Sequence, residues 1–167
     1  MVDVIVKNPD ECSAEELELF RSFLLCRPDI NIQNLEKRIA GAGKLAFAFS
    51  EGKPAGISAL KRAKKGFRRR LLEAQDPVVF TGLPPVELGW LYVDESFRGQ
   101  GVGSSLVSAL CNEKPRLPVF SLTTADNTSM RRILHSNSFS YHTDIFMPGR
   151  NSYCLYFRKG DGDQSIP

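Results

Sequence analysis

The sequence predicts a mixed α/β domain, and three observations carry that prediction. Apolar runs with strand character recur along the chain; the clearest is Val86-Glu87-Leu88-Gly89-Trp90-Leu91-Tyr92-Val93. Between such runs lie segments whose apolar residues return at helical spacing, as Leu17, Phe20, Leu24 and Leu25 do. A glycine-rich turn, Arg98-Gly99-Gln100-Gly101-Val102-Gly103, then joins the clearest strand to a helix that opens with Ser104-Ser105-Leu106.

Taken in order, Val2 to Val6 alternates as a first strand and stops at Asn8-Pro9. Ser13-Ala14-Glu15-Glu16 is a capping-box start, with Ser13 as N-cap and Glu16 reaching back. The helix so begun ends at Arg27-Pro28, and a second runs from Ile32 to Ala40 through Leu35 and Ile39. Leu45 to Phe49 and Ala55 to Leu60 read as a hairpin around Glu51-Gly52-Lys53-Pro54. The strand ending at Val93, the glycine turn and its helix come next, with Val102, Leu106 and Leu110 on one face. Val119 to Thr123 is the next strand, Asn127 to Leu134 a helix bearing Met130, Ile133 and Leu134, and Tyr153 to Phe157 the last strand.

A chain of 167 residues suits one domain, spanning 1–159 with a polar tail over 160–167. At 42% hydrophobic and 25% charged residues, the composition is that of an ordinary water-soluble globule. No apolar run approaches the roughly 20 residues needed to span a bilayer, and the N-terminus lacks a signal pattern, so a cytoplasmic protein without membrane contact is expected. Cys12, Cys26, Cys111 and Cys154 form no C-x-x-C pair, so the expectation is reduced thiols and no metal site. An insertion of about 25 residues, over 61–85, exceeds what a tight turn needs. It begins with Lys61 to Arg70, where seven of ten side chains are cationic. Such a run is either a solvated surface or a basic lip beside a site, and it is the one feature that would suit nucleic acid.

The glycine turn has its own chemistry. Glycines at positions 99, 101 and 103 remove side chains where backbone must approach a ligand. The first N–H groups of the helix after it lack intrahelical partners and favour an anion, and Arg98 adds a planar donor fork suited to phosphate. Strand, arginine, glycine turn and helix together read as a phosphate cradle. A P-loop would need Lys-Ser or Lys-Thr where Ser104-Ser105 stands, and the third glycine of a dinucleotide fingerprint falls on Ser104.

The stretch does match Arg-x-x-Gly-x-Gly, and the chain resembles the GCN5-related N-acetyltransferases (GNAT superfamily). Val93-Asp94-Glu95-Ser96-Phe97-Arg98 resembles the family's approach to its loop, and Asn127 with Ser138-Phe139 resembles its Asn-initiated helix and closing Gly-Phe pair, with Ser138 replacing the glycine. The resemblance covers the second half well and the first half by element order. It implies a single-domain fold with a mixed central sheet of about seven strands and helices on both faces. It also implies acetyl-coenzyme A as cosubstrate, its pyrophosphate on Arg98, Gly99, Gln100, Gly101, Val102, Gly103 and Ser104. Val93 would pair the pantetheine arm beside Leu91 and Tyr92, and Asn127 would meet that arm while also capping its helix.

Glu87 is the candidate general base, since it interrupts an apolar strand where burial raises a carboxylate's pKa, and alternation puts it with Gly89, Leu91 and Val93 on one face. The same residue can instead be a strand-edge glutamate facing water. Leu134 stands where family members often carry a tyrosine acid, so Tyr141 is the candidate acid, with core packing as its plainer role. The expected acceptor is a small-molecule or peptide amine, and a homodimer is compatible with the sequence. The alternatives are a non-catalytic acyl-coenzyme A-binding module and an acetyltransferase acting on aminoacyl-tRNA.

Overall fold

Seven strands pair in the order β1-β2-β3-β4-β5-β7-β6, a mixed sheet in agreement with the sequence reading. The computed structural model describes residues 1–63, 69, 86–113, 118–146 and 152–158. The proposed insertion beyond Ala63, apart from Arg69, and the proposed tail lie outside the described residues. Chain order is β1 (Val2–Lys7), α1 (Ala14–Leu25), α2 (Leu35–Ala40), β2 (Lys44–Ser50), β3 (Lys53–Arg62), β4 (Val86–Val93), α3 (Val102–Asn112), β5 (Val119–Thr124), α4 (Thr128–Ser136), β6 (Ser140–Phe146) and β7 (Ser152–Arg158). Among the described residues, no helix is long and apolar enough to cross a membrane. The described residues gather into two compact units, one drawn from Met1–Lys61 and Leu88–Glu113, the other from within Arg62–Glu87 and Lys114–Pro167.

In the first unit β1 and β2, and β2 and β3, pair antiparallel. The hairpin turn is tighter than the four residues read from sequence. Only Glu51 (φ 51°) and Gly52 (φ 74°) stand between Ser50 and Lys53, and both are left-handed, the twist that a two-residue hairpin demands. Strand alternation sends Leu45, Phe47, Ile57 and Ala59 to one face, where they join Phe20 and Leu24 of α1, Leu35 and Ile39 of α2 and Trp90 of β4. Phe20 centres this core, edge-on to Phe47 at 5.5 Å and to Trp90 at 6.1 Å, each pair adding about 0.5–1.5 kcal/mol beyond area burial. The opposite face carries small residues: Gly56 lies against Val102 and Leu106 of α3, and a Cβ there would come within 2.6 Å of the Tyr92 carbonyl oxygen.

The capping box forms as read: Glu16 N–H donates to Ser13 Oγ at 3.2 Å and Ser13 N–H to Glu16 Oε2 at 2.9 Å. Lys7 Nζ also binds Glu16 at 2.6 Å, and this hydrogen bond holds the Glu16 carboxyl below its usual range. Two helix expectations need correction. Leu25 is 44% exposed, because α1 ends there and its stripe runs through Phe20 and Leu24. The second helix starts at Leu35 instead of Ile32, because Asn34 takes a left-handed φ of 52° that no helix interior accommodates, leaving Ile32 exposed.

In the second unit β4 and β5 pair in parallel through Val86–Val119 and Glu87–Phe120, while β7 lies antiparallel to both β5 and β6. Met130 and Leu134 of α4 are buried, as are Phe120, Leu155 and Tyr156 of the sheet. The chain leaves α4 through a Schellman closure: Phe139 N–H donates to Leu134 O at 3.0 Å and Ser138 N–H to His135 O at 3.1 Å. That closure requires a left-handed residue after the cap. Ser138 supplies it at φ 64°, which explains why glycine is the favoured residue at this position in the resembling family.

Candidate active site

β4 is an interrupted strand. Leu88 and Trp90 are buried, yet Trp90 has a left-handed φ of 57°, a conformation costly for an aromatic residue in mid-strand. The expectation that Glu87, Gly89, Leu91 and Val93 share one face by simple alternation therefore does not hold, because regular pleating stops at Trp90. Beyond the interruption, β4 is held by the chain that leaves α1. Arg27 Nη1 donates to the Leu91 carbonyl at 3.1 Å, while its Nε and Nη2 bind the Asp29 carboxylate at 3.0 and 2.8 Å. That hydrogen bonding, ahead of any other influence, keeps the Asp29 carboxyl below the usual aspartate range. Tyr92 lays its ring 5.7 Å from Phe23, and burial, then a hydrogen bond with Cys26, raise its hydroxyl pKa.

After Val93 the chain turns on Asp94, whose N–H donates to Ala55 O at 3.0 Å and whose Oδ1 accepts from Ser96 N–H at 2.9 Å. Arg98 folds back, its Nε 3.4 Å from Val93 O and its Nη1 3.4 Å from Glu95 Oε1. Gln100 Nε2 binds Ser96 O at 3.0 Å, which braces the turn from within. Gly99 (φ 75°) and Gly101 (φ 83°) are both left-handed, and a Cβ on either would meet open space within 4 Å. Gly101 is the N-cap of α3 and offers no side chain to its first turn, where Val102, Gly103 and Ser104 carry no acid. Helix geometry leaves those amide hydrogens without intrahelical acceptors, and the helix dipole favours an anion before them. The loop thus has open space, unsatisfied donors and a nearby cation, which is what a pyrophosphate needs.

The residues from Leu91 to Ser104 all lie in the first unit. Asn127, Glu87 and Tyr141 belong to the second unit. Asn127 caps α4, its Oδ1 accepting from Met130 N–H at 3.1 Å. Glu87 is half-buried in β4 beside its parallel neighbour Phe120. Tyr141 is 48% exposed on β6, edge-on to Tyr156 at 5.8 Å. Partial desolvation, then a hydrogen bond with Asp144, raise its hydroxyl pKa. Leu134 is wholly buried, so the position where family members often carry a tyrosine serves the core.

Sequence reasoning takes Arg27 only as part of a helix stop and passes over Asp29 and Arg38. Arg38 lies 5.5 Å from the Trp90 ring centroid, and Lys61 Nζ lies 5.1 Å from it. The available signal is weak: Arg27-Pro28-Asp29 places a cation and an anion at a helix end, as many surface turns do.

Comparison with known proteins agrees with this fold. The acetyltransferase (GNAT) family pattern matches residues 12–136. An acyl-CoA N-acyltransferase from Pseudomonas aeruginosa superposes with a TM-score of 0.67 at 16% identity, covering 95% of this chain and 99% of that one. NAA60 of Arabidopsis thaliana, solved with a bisubstrate analogue, superposes at 0.64 with 15% identity, covering 96% of this chain and 100% of that one. The yncA protein of Salmonella typhimurium, solved with its cofactor acetyl-CoA, superposes at 0.59 with 17% identity, covering 99% and 96%. Among curated proteins, none matches the sequence. With three quarters of its length matched and the loop's geometry in place, the chain belongs to the acetyltransferase (GNAT) family.

Proposed function

We propose that the chain transfers an acetyl group from acetyl-coenzyme A to a primary amine by direct attack in a ternary complex. The observation that carries this reading is the open, left-handed Gly99 and Gly101 turn ahead of α3. Amides from Gly99 to Ser104 would hold the pyrophosphate, and Arg98 would leave Val93 and Glu95 to join them. Val93 would then offer its N–H and carbonyl to the pantetheine arm, next to Leu91 and Tyr92. Asn127, whose carbonyl oxygen accepts from Met130 N–H, is the residue to which the family resemblance gives a contact with that arm.

When bound, acetyl-coenzyme A supplies an activated acyl carbon: the amine nitrogen bonds to it, the C–S bond breaks, and the thiolate leaves with the electron pair. The protein's part is proton transfer and charge stabilisation. Glu87 takes the proton from the attacking amine. The backbone near Leu91, where pleating is interrupted, donates to the carbonyl oxygen as it becomes negative. Tyr141, whose phenol is protonated at neutral pH at its ordinary pKa of about 10, returns a proton to the thiolate. Titration calorimetry of coenzyme A against the wild type and Gly101→Trp tests the reading, together with thiol release on mixing acetyl-coenzyme A with amines. Micromolar binding that Gly101→Trp abolishes, with amine-dependent thiol release, is expected. Equal binding by a folded Gly101→Trp would overturn the cofactor site.

A further inference from the structure

The break in β4 at Trp90 is bracketed by two side chains from other elements. On one side Ser58 Oγ, from β3, donates to the Gly89 carbonyl at 3.2 Å; on the other, Arg27 Nη1 donates to the Leu91 carbonyl at 3.1 Å. Ser58 is wholly buried and the Arg27 side chain only 24% exposed, so both bonds are shielded from competing water. In a continuous ladder a carbonyl is met by the N–H of a neighbouring strand. Here a serine 31 positions away in sequence and an arginine 64 positions away meet the carbonyls on either side of one residue. All five residues belong to the first unit, as does the glycine loop.

The Gly89 carbonyl belongs to the peptide that enters Trp90, and the Leu91 carbonyl to the peptide that leaves Leu91. The peptide between them carries the Leu91 N–H, so its orientation is fixed from both ends. A left-handed aromatic residue is costly, and a regular strand would bury Trp90 without that cost. The break is therefore held for what it presents. Stabilising a developing oxyanion needs a donor aimed in advance, and small misplacement is expensive in rate.

We propose that Ser58 and Arg27 are positioning residues for acetyl transfer: by pinning the Gly89 and Leu91 carbonyls they aim the intervening Leu91 N–H at the acetyl oxygen as it becomes negative. The assignment rests on reading the chain as an amine acetyltransferase. The experiment compares Ser58→Ala, Arg27→Lys and the double variant with the wild type in thiol release from acetyl-coenzyme A on amine addition. In each single variant kcat should fall roughly tenfold or more, with the KM for acetyl-coenzyme A within about twofold of wild type. The double variant should lose less than the product of the two, because both bonds act on one peptide. Arg27→Lys carries the test if Ser58→Ala fails to fold. Lowered Tm with unchanged kcat, or fully multiplicative losses, would overturn the assignment and leave acetyl transfer standing. A second readout needs no turnover, because Trp90 is the one tryptophan of the chain and its emission reports the break directly. In both single variants the emission should move to longer wavelength as the indole loses its fixed packing. Emission identical to the wild type would overturn the assignment whatever the activity.

Discussion

Arg27 and Leu91 lie far apart in sequence, yet the Arg27 guanidinium donates to the Leu91 carbonyl at 3.1 Å, one residue beyond left-handed Trp90. The remaining guanidinium nitrogens grip Asp29, so the segment after α1 and the interrupted strand β4 are fixed to each other. Strain at Trp90 persists only if its surroundings over-determine it, and this fork is one such constraint.

Arg27→Ala should therefore act on catalysis more than on cofactor binding. A fall in kcat of roughly ten- to a hundredfold, with coenzyme A affinity within about twofold of wild type, is the expected result. Arg27→Lys, which keeps the charge but loses the fork, should recover little of the loss. Steady-state kinetics beside calorimetry separates the two effects.

A pH dependence of stability arises at Asp29. Its folded-state pKa is depressed by Arg27, so its contribution to stability is present above the ordinary aspartate pKa of about 3.9 and fades as pH falls through the lower folded value. Chemical denaturation of wild type and Asp29→Asn should differ by a constant amount from about pH 8 to pH 5, begin to converge near pH 4, and meet only once the pH has fallen past the lower folded value. The carboxylate is 67% exposed, so the plateau should be no more than about 1 kcal/mol.

Gly101→Ala places a side chain on a φ of 83°, with nothing nearby to clash. A stability loss of about 1 kcal/mol from the backbone alone is expected, with coenzyme A binding retained but weakened. Thermal unfolding and titration calorimetry on one preparation check both halves.

Ser138 offers the opposite case. Its φ of 64° is demanded by the Schellman closure of α4, so Ser138→Gly should stabilise the protein by about 1 kcal/mol. The readout is a rise in Tm, and an unchanged or lower Tm would show that the closure tolerates serine without strain.

Glu87→Gln keeps shape and removes the proposed base. Turnover should drop about a hundredfold or more, and the alkaline rise in rate should steepen as free amine replaces the lost proton acceptor. Unchanged kcat across the pH range would move the base elsewhere.

Features set by near neighbours are legible in the sequence. The Ser13–Glu16 capping box, the Leu45-to-Leu60 hairpin, the buried Val102, Leu106 and Leu110 stripe and the Arg98 loop all depend on residues a few positions apart. Two strained positions are not legible as such. Nothing in the composition of β4 marks Trp90 as left-handed, and Asn34, a residue that tolerates that conformation, sits inside a stretch that reads as a helix. The cations on Trp90 and the fork on Leu91 are tertiary contacts between α2, β3, β4 and the chain after α1, and no local pattern encodes them. Glu87 and Tyr141 stand out by residue type, but type alone does not assign a proton to a reaction.

Gly56 touches no proposed ligand, yet its missing Cβ sets where α3 can begin. An added carbon would stand 2.6 Å from Tyr92 O and 3.3 Å from side-chain carbons of both Val102 and Leu106. The Tyr92 oxygen is backbone and cannot rotate away, so β4 or α3 would have to yield, and Val102 is the first residue after the cradle's last left-handed glycine. A screen for variants that lose coenzyme A affinity should therefore recover position 56 beside positions 99 and 101, and a survey confined to ligand-lining residues would miss it.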